Sequence, residues 1–301
     1  MRPPELLDEF LRHLRVERGL SPRTWESYGY QIKSYIRFIE ARGHEPASST
    51  REIVTAYLGV LKERGLKGAS IFAAAITIRG FHRFSLERRY ATNDPTAGMR
   101  LPKFTQRLPN PLSVAEIEKL LSLPTGTKFH RVRFHAMLEL LYATGLRVSE
   151  LIGLKIGHVN LEEESILVLG KGGKERIVPF GQKAKGSLLR YLEARRNRFP
   201  VVQDTLFLNS RGQGLTRGGF WWELKRMARR AGMNGAISPH RIRHSCATAM
   251  LEGGADIRVV QEMLGHRNIT TTQIYTHVSQ EFLRHACEKS HPMFYESAGD
   301  K

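Results

Sequence analysis

Only two cysteines, Cys246 and Cys287, occur in 301 residues. Two thiols cannot build a disulfide framework, and neither falls in a CxxC pair, which removes a zinc knuckle. Both sit inside helical patterns, so buried free thiols are expected. No apolar run approaches the ~20 residues that span a bilayer. The opening MRPPELLDEF carries acids where a signal peptide carries its apolar stretch. The expected compartment is therefore the cytoplasm, with no membrane partner. Metal-ligand patterns are missing as well: there is no HExxH, no Cys/His quartet and no carboxylate pair suited to two metals, so no metal is expected. Long repeats and low-complexity segments are also absent. Acids are scarce beside bases, 29 against 47, for a net charge of +18. The imbalance is not a basic tail: residues 1–102 carry 17 bases and 11 acids, and residues 103–301 carry 30 and 18. A field of this sign spread over a whole chain steers polyanions to it, nucleic acid first and an acidic membrane second.

The first hundred residues read as helices. Leu7, Phe10, Leu11 and Leu14 recur at spacings of three and four, and the pattern stops at Gly19. Ser21-Pro22 is a cap followed by proline in the first turn, and Trp25, Tyr28, Ile32, Tyr35, Ile36 and Ile39 continue one stripe to Gly43. Because these aromatics share the apolar face, they are expected in the core and not as a base-stacking platform. Further helices are expected at 50–64 and from 69 to about 90. Asn93-Asp94-Pro95, Leu101-Pro102-Lys103, Pro109 and Pro111 punctuate a connector. The expected division is a helical domain at 1–102, a linker at 103–110 and a second domain at 111–301. That second domain opens on Ser113-x-x-Glu116, a capping-box signature, and continues with a helix from His130 to Thr144 closed by Gly145. SILVLG, KGGK and ERIVPF then read as a β-hairpin. Helical patterns return from Thr216, with breaks at 232–238, Gly253-Gly254 and Gly265.

Several residues have the types that phosphate chemistry needs. In SPHRIRHS, Ser238 caps and Pro239 takes the first turn, placing His240 and Arg243 on one side of a helix start, where a phosphate is attracted by the dipole and by the fork. The same octapeptide equally fits a solvated basic turn. Arg147 in ATGLRVSEL follows a glycine-terminated helix, a rigid corner from which it can point at an anion. Lys171 lies in the turn GKGGK, where lysines are usually just solvated. In LGHRNITTTQIYTHV, His266 follows the helix ending at Gly265, and Thr270, Thr271 and Thr272 can cap the segment presenting Tyr275. Alone, that histidine and tyrosine fit a packed pair.

Together they fit one reaction. Attack of a phenol oxygen on a phosphodiester builds charge on two nonbridging oxygens, which two planar guanidinium forks, Arg147 and Arg243, can clamp. The phenol must lose a proton and the departing deoxyribose oxygen must gain one, roles that suit His240 and Lys171, with His266 as a further phosphate donor. Tyr275 is then the nucleophile.

ATGLRVSEL, GKGGKERIVPF, SPHRIRHSCATAMLEGGADIRVVQEMLGH and TTTQIYTHV, with GLSPRTWESYGYQIKSYIRFIEARG near the start, resemble the tyrosine recombinases, the phage-integrase family, and most closely its bacterial Xer-type members. The turn between His240 and Arg243 differs locally, with Arg241 and Ile242 where many members carry other residues around a leucine. The resemblance implies a mainly α fold with a small β-sheet: a two-domain DNA clamp with a helical SAM-like core-binding domain and an α/β catalytic domain. It implies catalytic roles for Arg147, Lys171, His240, Arg243, His266 and Tyr275, a 3′-phosphotyrosyl intermediate, a Holliday junction and no cofactor. It also implies double-stranded DNA as partner, a homo- or hetero-tetramer at synapsis, a DNA translocase as activator, and a C-terminal helix, 281–290, docked on a neighbouring protomer. Three rivals remain: an integrase of a phage or mobile element, a type IB topoisomerase-like swivelase, and a DNA-binding architectural or regulatory protein with an idle set.

Overall fold

The structure is a computed structural model that describes residues 3–101, 111–123, 126–170, 175–200, 203–233, 237–265 and 280–294. The chain divides into two compact units, Met1–Leu108 and Pro109–Lys301. The expected linker at 103–110, as well as Lys171, His266, the 270–272 threonines and Tyr275, lies outside the described residues.

In the first unit, α1 (Pro3–Arg12) runs into a π-helical turn, His13–Glu17, and is followed by α2 (Pro22–Glu40), α3 (Arg51–Glu63) and α4 (Gly68–Glu87). The stripes read from spacing become one core. Leu6, Phe10 and Leu14 meet Ile32, Tyr35 and Ile39 of α2 and Ile78, Phe81 and Phe84 of α4. Phe10 stands edge-on to Phe81 with ring centroids 5.4 Å apart. Tyr35 is fully buried, and its Oη lies 2.9 Å from His82 Nε2. Burial pushes the His82 pKa down to about 4, which keeps this buried ring neutral. Trp25 and Tyr28 pack partly buried on the same core, the position their spacing required.

The second unit contains α5 (Val114–Leu121), α6 (Phe129–Thr144), α7 (Val148–Ile152), β1 (Val159–Asn160), β2 (Ser165–Leu169), β3 (Glu175–Pro179), α8 (Gln182–Arg198), α9 (Arg217–Arg230), α10 (Pro239–Glu252), α11 (Ile257–Leu264) and α12 (Gln280–Ser290). Both halves of the α5 capping box form: Glu116 N–H donates to Ser113 Oγ at 3.1 Å and Ser113 N–H to Glu116 Oε2 at 2.8 Å. α6 is the central helix, with every residue from Ala136 to Thr144 buried. The hairpin β2–β3 is present, and β1 adds a third antiparallel strand through Val159 opposite Ile166. Two residues are too few to show a strand period, so β1 was not visible in the sequence. Ile166 and Val168 of β2 turn inward opposite Val178 and Arg176 of β3. An arginine thus occupies an inward register position.

α12 packs within this chain. Its Leu283 and Cys287 are buried, and Cys287 Sγ lies 3.8 Å from Met263 Sδ of α11. Arg284 also reaches Glu163 O and Glu164 Oε2 beside the sheet. Gly253 shows how close the seat is, since a Cβ there would stand 2.1 Å from Ser290 O. Leu283 and Cys287 turn to the core formed with α10 and α11, while Phe282 is 54% exposed. Both cysteines are buried free thiols.

One buried acid in this unit sets a pH dependence. Glu139 of α6 is buried, and burial pushes its carboxyl pKa up to about 7 against the opposing pull of Lys183 and Arg190. Its Oε1 is 3.8 Å from His135 Nε2, and its Oε2 has no hydrogen-bond partner among the described residues. The fold favours the protonated acid, so stability falls as pH rises from the ordinary carboxylate range through 7. Glu139→Gln is expected to be more stabilising at pH 8 than at pH 5, by roughly 2 kcal/mol. Urea midpoints at the two pH values check this, and an equal effect at both would refute it.

Candidate active site

The site is built where three helix ends meet. α6 stops at Gly145, whose φ of 58° and whose N–H to Leu141 O bond form a left-handed cap. Glycine is required there twice over, because a Cβ would also stand 2.4 Å from Leu264 Cδ2 and 3.2 Å from Cys246 Sγ. That approach brings the start of α7, the inner face of α10 and the end of α11 together. α11 ends in a second left-handed glycine, Gly265 at φ 66°.

Arg243 lies on the inner side of α10 and is only 5% exposed. Its Nη1 donates to Gly145 O and its Nη2 to Leu264 O, both at 2.5 Å, so one fork ties the end of α6 to the end of α11. Burial, then the neighbouring charge of Arg147, pushes its pKa down to about 10, which still leaves it charged at neutral pH. Arg147 is the residue before α7, and its side chain is 47% exposed. Its Nη1 donates to Glu150 Oε1 at 3.0 Å and its Nη2 to Gly265 O at 3.3 Å. The two guanidiniums therefore converge on consecutive carbonyls, Leu264 and Gly265.

His240 opens α10, where Ser238 Oγ accepts the Arg241 N–H at 3.2 Å. It is exposed while Arg243 is buried, so the pair three residues apart divides: the arginine dips under the helix and the imidazole stays at the surface. Among the described residues the structure thus brings Arg147 and Arg243 together, with His240 one turn from Arg243. Lys171, His266 and Tyr275 are outside the described residues; in the sequence Lys171 follows β2, His266 follows Gly265, and Tyr275 comes nine residues after His266.

Two residues that carry this geometry were not singled out from the sequence. Glu150 has a side chain only 7% exposed. It accepts the Arg147 N–H at 2.8 Å and both ends of the Arg176 fork. Burial opposes its ionisation, but Arg176 and the Arg147 N–H outweigh it and hold its carboxyl below the usual range. Its sequence signal is an acid at the third position of the helix that begins just after Arg147. For Arg176 the signal is a cation at an inward strand position.

Residues 111–281 match the phage integrase family, and residues 7–89 match its N-terminal SAM-like domain. Tyrosine recombinase XerD of Halalkalibacterium halodurans is 46% identical over 290 residues, covering 95% of this chain and 97% of that protein. Tyrosine recombinase XerD of Staphylococcus aureus is 41% identical over 290 residues, covering 95% of this chain and 98% of its own. Among solved structures, XerH site-specific recombinase bound to its difH substrate in a pre-cleavage complex aligns with a TM-score of 0.67 at 26% identity, covering 93% of this chain and 83% of that one. The lambda integrase tetramer bound to a Holliday junction shares the fold, with a TM-score of 0.67 at 22% identity over 91% of this chain and 80% of that one. The chain belongs to the phage integrase family and is a site-specific tyrosine recombinase of the Xer type. Among the described residues, no helix is long and apolar enough to cross a membrane.

Proposed function

We propose that this recombinase resolves chromosome or plasmid dimers at cell division, working in the cytoplasm on double-stranded DNA with Arg147, Lys171, His240, Arg243, His266 and Tyr275 as its catalytic set. The observation that carries the site is the convergence of Arg147 and Arg243 on the Leu264 and Gly265 carbonyls. Two guanidiniums held a turn from an exposed imidazole suit a scissile phosphate lying over the end of α11. Tyr275 Oη attacks phosphorus and forms a 3′-phosphotyrosyl bond as the bond to the 5′-oxygen breaks. The phenol proton passes toward His240, and Lys171 supplies a proton to the departing 5′-oxygen. Arg147, Arg243 and His266 hold the nonbridging oxygens. The energy of the phosphodiester is kept in the covalent link, so a partner's free 5′-hydroxyl rejoins the strand with no external energy source.

The cellular role rests on likeness to proteins named XerD. Two protomers each cut one strand and exchange through a Holliday junction within a tetramer of identical or paired subunits. A DNA translocase is the expected activator, and the net charge of +18 favours approach to duplex DNA. Mapping covalent protein–DNA links across the host chromosome tests the role. One site near the replication terminus is the expected result, whereas links at the ends of mobile elements would replace dimer resolution with integration.

A further inference from the structure

Arg176, outside the proposed catalytic set, ties three elements of the second unit together. It sits on β3 at the inward position opposite Val168, with a side chain 15% exposed. All three of its donor nitrogens are committed. Nε donates to Met263 O at 3.1 Å, Nη1 to Glu150 Oε1 at 3.3 Å and Nη2 to Glu150 Oε2 at 2.9 Å. Its guanidinium also lies against Gly265, where an added Cβ would come within 3.1 Å of Cζ. One buried fork thus joins the hairpin strand that follows the GKGGK turn, the corner that holds Arg147, and the last turn of α11. Three of its five N–H groups are used this way and its side chain is 15% exposed, so it acts on the reaction through what it holds.

Glu150 touches Arg147 through both its carboxylate oxygens, one on the guanidinium and one on the backbone N–H. A carboxylate paired with Arg147 alone would cancel the charge that a phosphate needs and would compete for the fork. Arg176 takes up that carboxylate with a two-point bond from the opposite side, which leaves Glu150 to orient Arg147 without neutralising it.

We infer that Arg176 is a positioning residue for strand cleavage: by holding Glu150 bidentately and the end of α11 through Met263 O, it keeps the Arg147 guanidinium aimed and free for the scissile phosphate. This rests on the reading of Arg147 as a phosphate clamp. A residue that merely holds the fold would behave differently from a charge counterweight when its partner is also changed.

The test uses the full chain and a nicked duplex carrying the site recovered by the covalent mapping. Arg176→Met is expected to slow single-turnover cleavage by about tenfold to a hundredfold, the usual cost of a misplaced catalytic group, with DNA binding within threefold of the unaltered protein. Adding Glu150→Gln removes the stranded charge while its amide oxygen still accepts the Arg147 N–H, so the double variant is expected to cleave faster than Arg176→Met alone. Should Arg176→Met not melt cooperatively, Arg176→Gln, which also removes the charge but keeps a polar side chain, takes its place in the same comparison. Cleavage by the Arg176 variant at the unaltered rate, or a double variant no faster than the single one, would overturn the inference. Arg147→Lys in the same assay separates the two readings: if it cleaves normally the catalytic set itself is misread, and if it is slow while the Arg176 variant is not, only the role of Arg176 fails.

Discussion

Tyr275→Phe is expected to bind its DNA site with unchanged affinity and to form no covalent adduct with a nicked suicide substrate. The substitution removes a single oxygen, and that oxygen is the atom proposed to bond to phosphorus. The ring and its volume remain. Binding draws on the basic surface of the whole chain, 47 Lys and Arg, and not on one phenol. Cleavage should therefore fall below detection while gel-shift titrations overlay. The suicide substrate makes the result unambiguous, because the nick lets the fragment carrying the 5′-hydroxyl diffuse away and trap any link that forms. An adduct at the unaltered yield would remove Tyr275 from the mechanism. In cells, unchanged function of this variant would support the rival reading of a DNA-binding regulator with an idle catalytic set.

Arg243→Lys is expected to lower the cleavage rate by about a hundredfold to a thousandfold, the usual cost of losing one preorganised donor to a developing oxyanion. Charge is preserved, so the effect isolates geometry. Arg243 spans Gly145 O and Leu264 O with its two Nη atoms, and a lysine ends in a single nitrogen that cannot reach both carbonyls in that arrangement. One buried carbonyl is left without its partner, and the ends of α6 and α11 lose their shared tether. Part of the loss is therefore structural, seen as a lower melting temperature, so rates must be compared well below the melting point of the variant. Arg147→Lys removes a fork that is half exposed and bonded to Glu150 and Gly265 O, so it is expected to slow cleavage with a smaller change in melting. Cleavage by Arg243→Lys within threefold of the unaltered protein would show that the fork is not a transition-state clamp.

The parts of this molecule that depend on near neighbours in the chain were readable before any fold was known. The stop at Gly145, the Ser113–Glu116 box, the Ser238-Pro239 start of α10 and the β2–β3 hairpin each follow from rules acting over a few residues, and each is present. β1 escaped because two residues show no periodicity. The types needed for phosphoryl transfer were also visible, since a phenol, two guanidiniums, imidazoles and a lysine are legible as chemistry wherever they stand.

Local rules along the chain thus give most of the elements, though neither β1 nor α8, together with the cationic character and the inventory of reactive groups. Tertiary structure alone decided which groups meet. Arg243 and Gly145 are 98 residues apart in the chain, and Arg176 and Glu150 are 26 apart. It alone sent Arg243 inward and left His240 outside, and it seated α12 on the ends of α10 and α11. The physical reason is that these contacts join buried polar groups from different elements. Each bond exists because packing has removed water and leaves a donor and an acceptor no other partner, and that pairing depends on which faces come together.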